Sequence, residues 1–128
     1  MGTHASIYVV SNGEVLCHLF SQHDGYPEGV GYELYKLMKN RHIVNGFTGD
    51  MKYTKYSNGL EDFAALLVWH FKKQSKLGTI YLMPTELNSV NTEYTYIVSE
   101  NLHTEVYNCG TLLFDGYPAE MKESFNFH

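Results

Sequence analysis

A chain of 128 residues is one domain, large enough for a genuine core, and its net charge of −5 with a single arginine, Arg41, argues against duplex DNA or RNA as a partner. No apolar run approaches the roughly 18 residues that a membrane-spanning helix needs, so no membrane partner is expected. The opening Met1–Ala5 lacks the charged and then apolar segment of a secretory signal. Met1-Gly2 reads either as a myristoylation site, with Ser6 its one supporting feature, or as a cloning remnant. Cys17 and Cys109 stand far apart in no metal-ligand spacing, which reads as two reduced thiols of a cytoplasmic protein. Eleven tyrosines and seven phenylalanines bring much apolar area with polar tips, as a chain with a contact surface to cover does.

Ile7-Tyr8-Val9-Val10 is a β-branched and aromatic run, and Asn12-Gly13 before Val15–Phe20 predicts a hairpin. The stretch 21–31, Ser-Gln-His-Asp-Gly-Tyr-Pro-Glu-Gly-Val-Gly, predicts a tight turn running into a helix start. Asp24-Gly25 supplies turn chemistry, and Pro27 is preset for the first helical turn, where its missing N–H costs nothing. Gly29 and Gly31 imply the close approach of something, either another backbone of the same chain or a ligand. Val30, Leu34, Leu37 and Met38 form one apolar stripe, predicting a helix from about Pro27 to Asn40. Residues 43–59 read as loop, with Lys52 and Lys55 interleaved with Tyr53 and Tyr56 on what is either a solvated excursion or a cationic, aromatic arm.

Leu60, Phe63, Ala64, Leu67, Val68 and Phe71 keep the helical period, and Asn58 with Glu61 three residues on predicts a capping box ahead of them. Strands are expected at 78–84, 93–98, 105–107 and 111–114, with the tail from Pro118 a short helical turn or frayed. The order β-β-α-α-β-β-β-β predicts an α+β fold, an antiparallel sheet with two helices packed on one face. Asp24-Gly25-Tyr26-Pro27 recurs word for word at Asp115-Gly116-Tyr117-Pro118, a turn-favouring sequence used twice.

No His-x-x-x-His, Cys-x-x-Cys, phosphate-binding Gly-Lys-Ser/Thr loop or nucleophile elbow occurs, so neither a catalytic metal nor a cofactor is expected, and binding groups outnumber reactive ones. The blocks His23-Asp24-Gly25-Tyr26-Pro27-x-Gly29-x-Gly31, Asn58-Gly59-Leu60 with Val68-Trp69-His70-Phe71-Lys72, Gly78–Pro84 and Glu93-Tyr94-Thr95-Tyr96 resemble a family of small phage and prophage proteins. That set is similar to the phage anti-Thoeris sponges of the first type. The resemblance, over residues 6–114, implies a non-enzymatic homo-oligomer in the cytoplasm of an infected bacterium. It would bind a small nucleotide second messenger, a cyclic ADP-ribose isomer or a cyclic oligonucleotide, and withhold it from host immunity. Sponges of this type place arginines on the phosphates, whereas this chain offers Arg41 alone.

The same residues leave a small nucleotide-processing hydrolase and a structural or regulatory phage protein as competing classes. The expected ligand site joins the 23–31 turn to Tyr81 and the Glu93–Tyr94 strand start, with His23 in the turn. Tyr26 or Tyr81 would stack a base, Asp24 and Glu93 would take hydroxyls, and Arg41 or Lys55 would meet phosphate. The helix start at Pro27–Gly31 is the expected anion site.

Overall fold

The computed structural model describes residues 2–46, 55–75, 78–86 and 92–128. The fold is α+β: a six-stranded sheet with three helices on one face, and a separate two-stranded sheet. β1 (Ala5–Ser11) and β2 (Glu14–Ser21) form the expected hairpin, in which Asn12 and Gly13 take φ of 52° and 79° at the turn. That pair of positive φ values matches the right-handed twist of the strands, which is why Asn-Gly serves there. Across the sheet the order is β5-β2-β1-β6-β7-β8, with β5 at Ile80–Leu82, β6 at Tyr94–Val98, β7 at Thr104–Asn108 and β8 at Thr111–Gly116.

The expected all-antiparallel sheet needs one correction. β6 lies against β1 and runs parallel to it, Ile7 opposite Tyr96, so the sheet is mixed. The reason is placement: β5 takes the outer side of β2, leaving the inner side of β1 to the strand that returns after it.

Helix formation departs from the expected span at its start. Pro27–Gly31 is one π-helical turn, and α1 proper covers Tyr32–Met38. Its stripe holds, with Val30, Leu34, Leu37 and Met38 all buried. Asn40 ends it in the left-handed region, φ 58°, a conformation that asparagine tolerates. Residues 43–59 are not all loop, because β3 (His42–Val44) pairs in parallel with β4 (Tyr56–Asn58). Lys52 and Tyr53 of the expected arm lie outside the described residues.

α2 (Gly59–Lys73) is the central helix, with Phe63 and Leu67 fully buried and Leu60, Ala64 and Phe71 beside them. Its start is built differently from the expected capping box. The Asn58 side chain accepts from the Gly46 N–H (2.7 Å), and the Asn58 N–H donates to Asp62 Oδ2 (2.7 Å). Gly59 at φ +86° shifts the reciprocal acid one residue beyond Glu61.

The tail is neither short nor frayed. α3 (Pro118–Phe125) buries Met121, and Phe127 beyond it packs 5.2 Å from the Tyr32 ring and 5.3 Å from the Tyr35 ring of α1. Among the described residues no helix is long and apolar enough to cross a membrane.

The sheet face away from the helices is partly buried as well. There His18 is fully buried, 2.8 Å from Ser6 Oγ and 2.8 Å from the Pro84 carbonyl, and its ring stacks on Tyr8 at 4.1 Å. Burial lowers the His18 pKa, against the opposing pull of the Pro84 carbonyl. Ser6 is fully buried in β1, so it is closed to anything that would read Gly2–Ser6 as an extended segment.

Candidate functional site

The end of the sheet where β2 stops and β5, β1 and β6 begin holds the 21–31 turn. Four bonds fix it there. Gln22 N–H donates to the Thr79 carbonyl (2.9 Å), Gly25 N–H to Thr3 (2.9 Å), Val30 N–H to Asp24 (2.8 Å), and the buried Tyr96 hydroxyl to Gly25 (2.7 Å). Burial first, with Tyr94 and Glu28 adding to it, raises the Tyr96 pKa, so this phenol is a permanent donor.

The glycines answer to the chain itself. A Cβ on Gly29 would overlap the Asp24 carbonyl oxygen, one on Gly25 would lie 2.7 Å from the His4 carbonyl, and one on Gly31 would lie 3.2 Å from the Tyr96 hydroxyl. Their missing Cβ, rather than any special backbone conformation, is what this close packing uses. The expected anion site is also spent in part, since the Gly29, Val30 and Gly31 amides donate to Tyr26, Asp24 and Tyr26 carbonyls.

Beside the turn a cleft of about 290 Å³ opens between the turn, α1, α2 and the start of β5. Ser21, His23, Asp24, Glu28 and Glu33 line one side, and Gln74, Ser75 and Thr79 the other, over a floor of Val30, Phe71 and Ile80. Tyr26 stands at the rim, its hydroxyl donating to Asp24 Oδ1 (3.1 Å). That bond, then the Asp24 charge, and last the Glu28 charge raise the Tyr26 pKa. Opposite, Ser75 Oγ and Thr79 Oγ1 share a hydrogen bond of 2.8 Å.

On the deep wall Glu33 accepts from Lys36 (2.8 Å) and lies 3.1 Å from His70 Nε2. Burial pushes the Glu33 carboxyl up, but its bonds to Lys36, His70 and Gln74 and the Lys36 charge outweigh that and hold it below its ordinary value. His70 is lowered by burial, with Glu33 acting against it.

The expected site residues divide. His23, Asp24 and Tyr26 belong to the cleft and its rim. Tyr94 is half-buried at the neighbouring strand start, raised by burial first, then by Glu93 and Glu28. Glu93 is exposed, and its carbonyl accepts from Cys109 (2.7 Å). Tyr81 points to the other side of the sheet from cleft-lining Ile80, its ring 6.2 Å from that of Phe20. The start of β5, rather than its end, meets the turn, because β5 is antiparallel to β2.

Arg41 and Lys55 are not brought to the cleft. Arg41 donates to the carbonyls of Leu37 (2.8 Å) and Tyr56 (3.2 Å), and Lys55 to those of Lys36 (2.9 Å) and Lys39 (3.1 Å). Both bind the C-terminal end of α1, where cations suit the helix dipole, while the cleft lies at its N-terminal end. Burial lowers the pKa of each, with the Arg41 and Lys39 charges adding to the effect at Lys55.

Glu28, Glu33, Phe71, Gln74, Ser75 and Thr79 were missed as site residues. Glu28 and Glu33 lie four and nine residues after Asp24 on one rising turn, and the others join only through the α2–β5 connection, which has no local signature. Among the described residues no group of three or more His, Cys, Asp or Glu could hold a metal. Compared with family models, curated proteins and solved structures, the chain finds no match.

Proposed function

We propose that this protein binds a small nucleotide messenger of the cyclic ADP-ribose or cyclic oligonucleotide kind and holds it without turnover, as a phage anti-defence sponge in the cytoplasm of an infected bacterium. The observation that carries the reading is the cleft of about 290 Å³ at the Asp24–Gly31 turn, nucleoside-sized, with hydroxyl acceptors on one wall and an apolar floor. The resemblance of the His23–Gly31 block to the sponge family points the same way. Phosphate contacts, which Arg41 and Lys55 do not bring to this cleft, would come from another copy in a homo-oligomer. Association of copies is supported by the exposed Leu112 and Leu113 on edge strand β8, a row that an unpaired strand leaves open.

One observation favours a second reading, a small nucleotide-processing hydrolase. Glu33, with His70 bonded behind it at 3.1 Å, lines the same cleft as the Ser75 and Thr79 hydroxyls, the kinds of group that proton transfer would need. One experiment separates the readings. The protein is incubated with a cyclic ADP-ribose isomer, desalted and denatured, and the released material is analysed. Intact ligand supports the sponge and product supports the hydrolase, while an empty protein removes both and leaves a structural role. Sedimentation at micromolar concentration tests the homo-oligomer, and a lone monomer would defeat it.

A further inference from the structure

We infer that the cleft reads the vicinal diol of a ribose, so that a nucleotide ligand enters sugar first with its phosphates left outside; this rests on the cyclic ADP-ribose form of the nucleotide reading above, since the riboses of a cyclic oligonucleotide have their 3′-hydroxyls esterified and offer no diol. Charge is the first ground. Asp24, Glu28 and Glu33 line the cleft, and among the described residues no lysine or arginine does. Lys36 approaches as the partner of Glu33, its Nζ also 4.8 Å from the Tyr32 ring centre, and Lys72 donates to the Ile80 carbonyl at 3.2 Å. A phosphate entering here would meet like charge at less than the roughly 8 Å over which salt screens it.

A sugar meets the opposite situation. Carboxylates are acceptors only, and each hydroxyl of a diol is a donor, so a diol satisfies an acid rim where a phosphate does not. Glu28 is exposed, and among the described residues its carboxylate has no hydrogen bond or ion pair and the Asp24 carboxylate accepts one side-chain bond, from Tyr26. The Tyr26 hydroxyl, close enough to both acids to feel their charge, can turn to donate to a sugar oxygen. Behind the rim, the Ser75–Thr79 hydroxyl pair offers both a donor and an acceptor. The floor of Val30, Phe71 and Ile80 gives the face of a sugar or base an apolar surface, which a free pentose would use less fully than a nucleoside.

The test titrates the intact protein with adenosine, 2′,3′-dideoxyadenosine, adenosine 5′-monophosphate and free ribose, read by amide chemical shifts. Adenosine should shift residues of the 21–31 turn and residues 71–75 and 79, and removal of the diol should weaken binding about tenfold or more, as loss of hydrogen bonds to charged groups does. The monophosphate should bind no better than adenosine, and ribose more weakly than either. The isosteric variants Glu28→Gln and Asp24→Asn should each weaken adenosine by about tenfold while keeping the wild-type melting temperature.

Equal binding of adenosine and its dideoxy analogue overturns the inference, and so does a monophosphate that binds more tightly than adenosine at the same residues. The analogue comparison uses the unaltered protein, so a variant that fails to fold does not decide the matter. Retention of a cyclic ADP-ribose isomer with no diol dependence would sink this inference and leave the sponge standing. Diol-dependent adenosine binding with no retention would do the reverse.

Discussion

The chain uses the same four residues twice at a strand-to-helix junction, and the two junctions come out differently. Asp24-Gly25-Tyr26-Pro27 leaves β2 and Asp115-Gly116-Tyr117-Pro118 leaves β8; in each the tyrosine is extended, with ψ of 163° and 164°, and the proline opens the helical turn. The residues beyond the proline set the two apart. At the second junction Glu120 falls three residues after Tyr117 and its carboxylate accepts the Tyr117 N–H at 2.9 Å, so a regular α-helix starts. At the first, that position is Gly29, and the turn closes as a π-turn with Asp24 at φ 57°. The acid has moved to Glu28, where it serves no cap. Asp115 is paired with His103 at 2.6 Å, whereas among the described residues the Asp24 carboxylate accepts only from Tyr26, two residues on. One copy is spent on structure, and the other leaves its carboxylates facing a cleft.

Glycine substitutions should break the two copies unequally, and this is the largest expected effect. Gly25→Ala puts a Cβ 2.7 Å from the His4 carbonyl carbon and oxygen, backbone that cannot step aside, and should cost about 1–3 kcal/mol. At Gly116 the added Cβ meets Glu120 Oε1 at 3.0 Å and the Phe114 ring at 3.1 Å, side-chain atoms at longer range than the backbone beside Gly25, so Gly116→Ala should cost less than Gly25→Ala even if the Glu120 cap gives way in part. Urea midpoints of the two variants measure the difference. Equal losses would mean that the junctions are constrained alike.

The acids sharpen the comparison. Glu120→Ala removes the cap of α3 and should destabilise by about 0.5–2 kcal/mol. Glu28→Ala, at an exposed carboxylate, should stay within about 0.5 kcal/mol of the wild type in urea while reducing ligand retention. A stability loss at Glu28 matching that at Glu120 would return Glu28 to the fold.

The fold class, the first hairpin and the buried stripes of both long helical segments were legible because each rests on local periodicity: Asn12-Gly13, Val30 to Met38 and Leu60 to Phe71 carry their own pattern. The parallel pairing of β1 with β6 was not, since Ile7 and Tyr96 are 89 residues apart and nothing near either records the partner. The β3–β4 pair escaped because three residues are too few to show alternation. In the site, the turn residues could be read from their backbone chemistry, but the role of Arg41 could not. A lone arginine in an acidic chain invites an anion, and the competing demand was the unpaired carbonyls at the end of α1. Glu28 escaped as a cleft residue for the same kind of reason: only α2 and β5 create the opposite wall.

Acid should reveal the smallest difference, at the wall of the first junction. Burial holds His70 below its ordinary 6.5, so the folded state prefers the neutral ring while the unfolded chain takes up the proton more readily. The stability that this represents is fully present above about pH 6.5 and is lost as the pH falls toward the folded-state value. A single proton limits the slope to about 1.4 kcal/mol per pH unit, and His18, buried behind the sheet, contributes with the same sign. Glu33 works in a lower window. Its depressed carboxyl adds stability above its ordinary 4.5 that disappears as the pH drops through the folded-state value. Urea midpoints tracked from pH 7.5 to 3.5 should therefore fall in two stages. In His70→Gln the upper stage should become shallower, keeping the share due to His18, while the lower stage persists because Lys36 still holds Glu33 at 2.8 Å. An unchanged upper stage in that variant would show that His70 does not feel the proton, and would assign the upper stage to other groups such as His18 on the far side of the sheet.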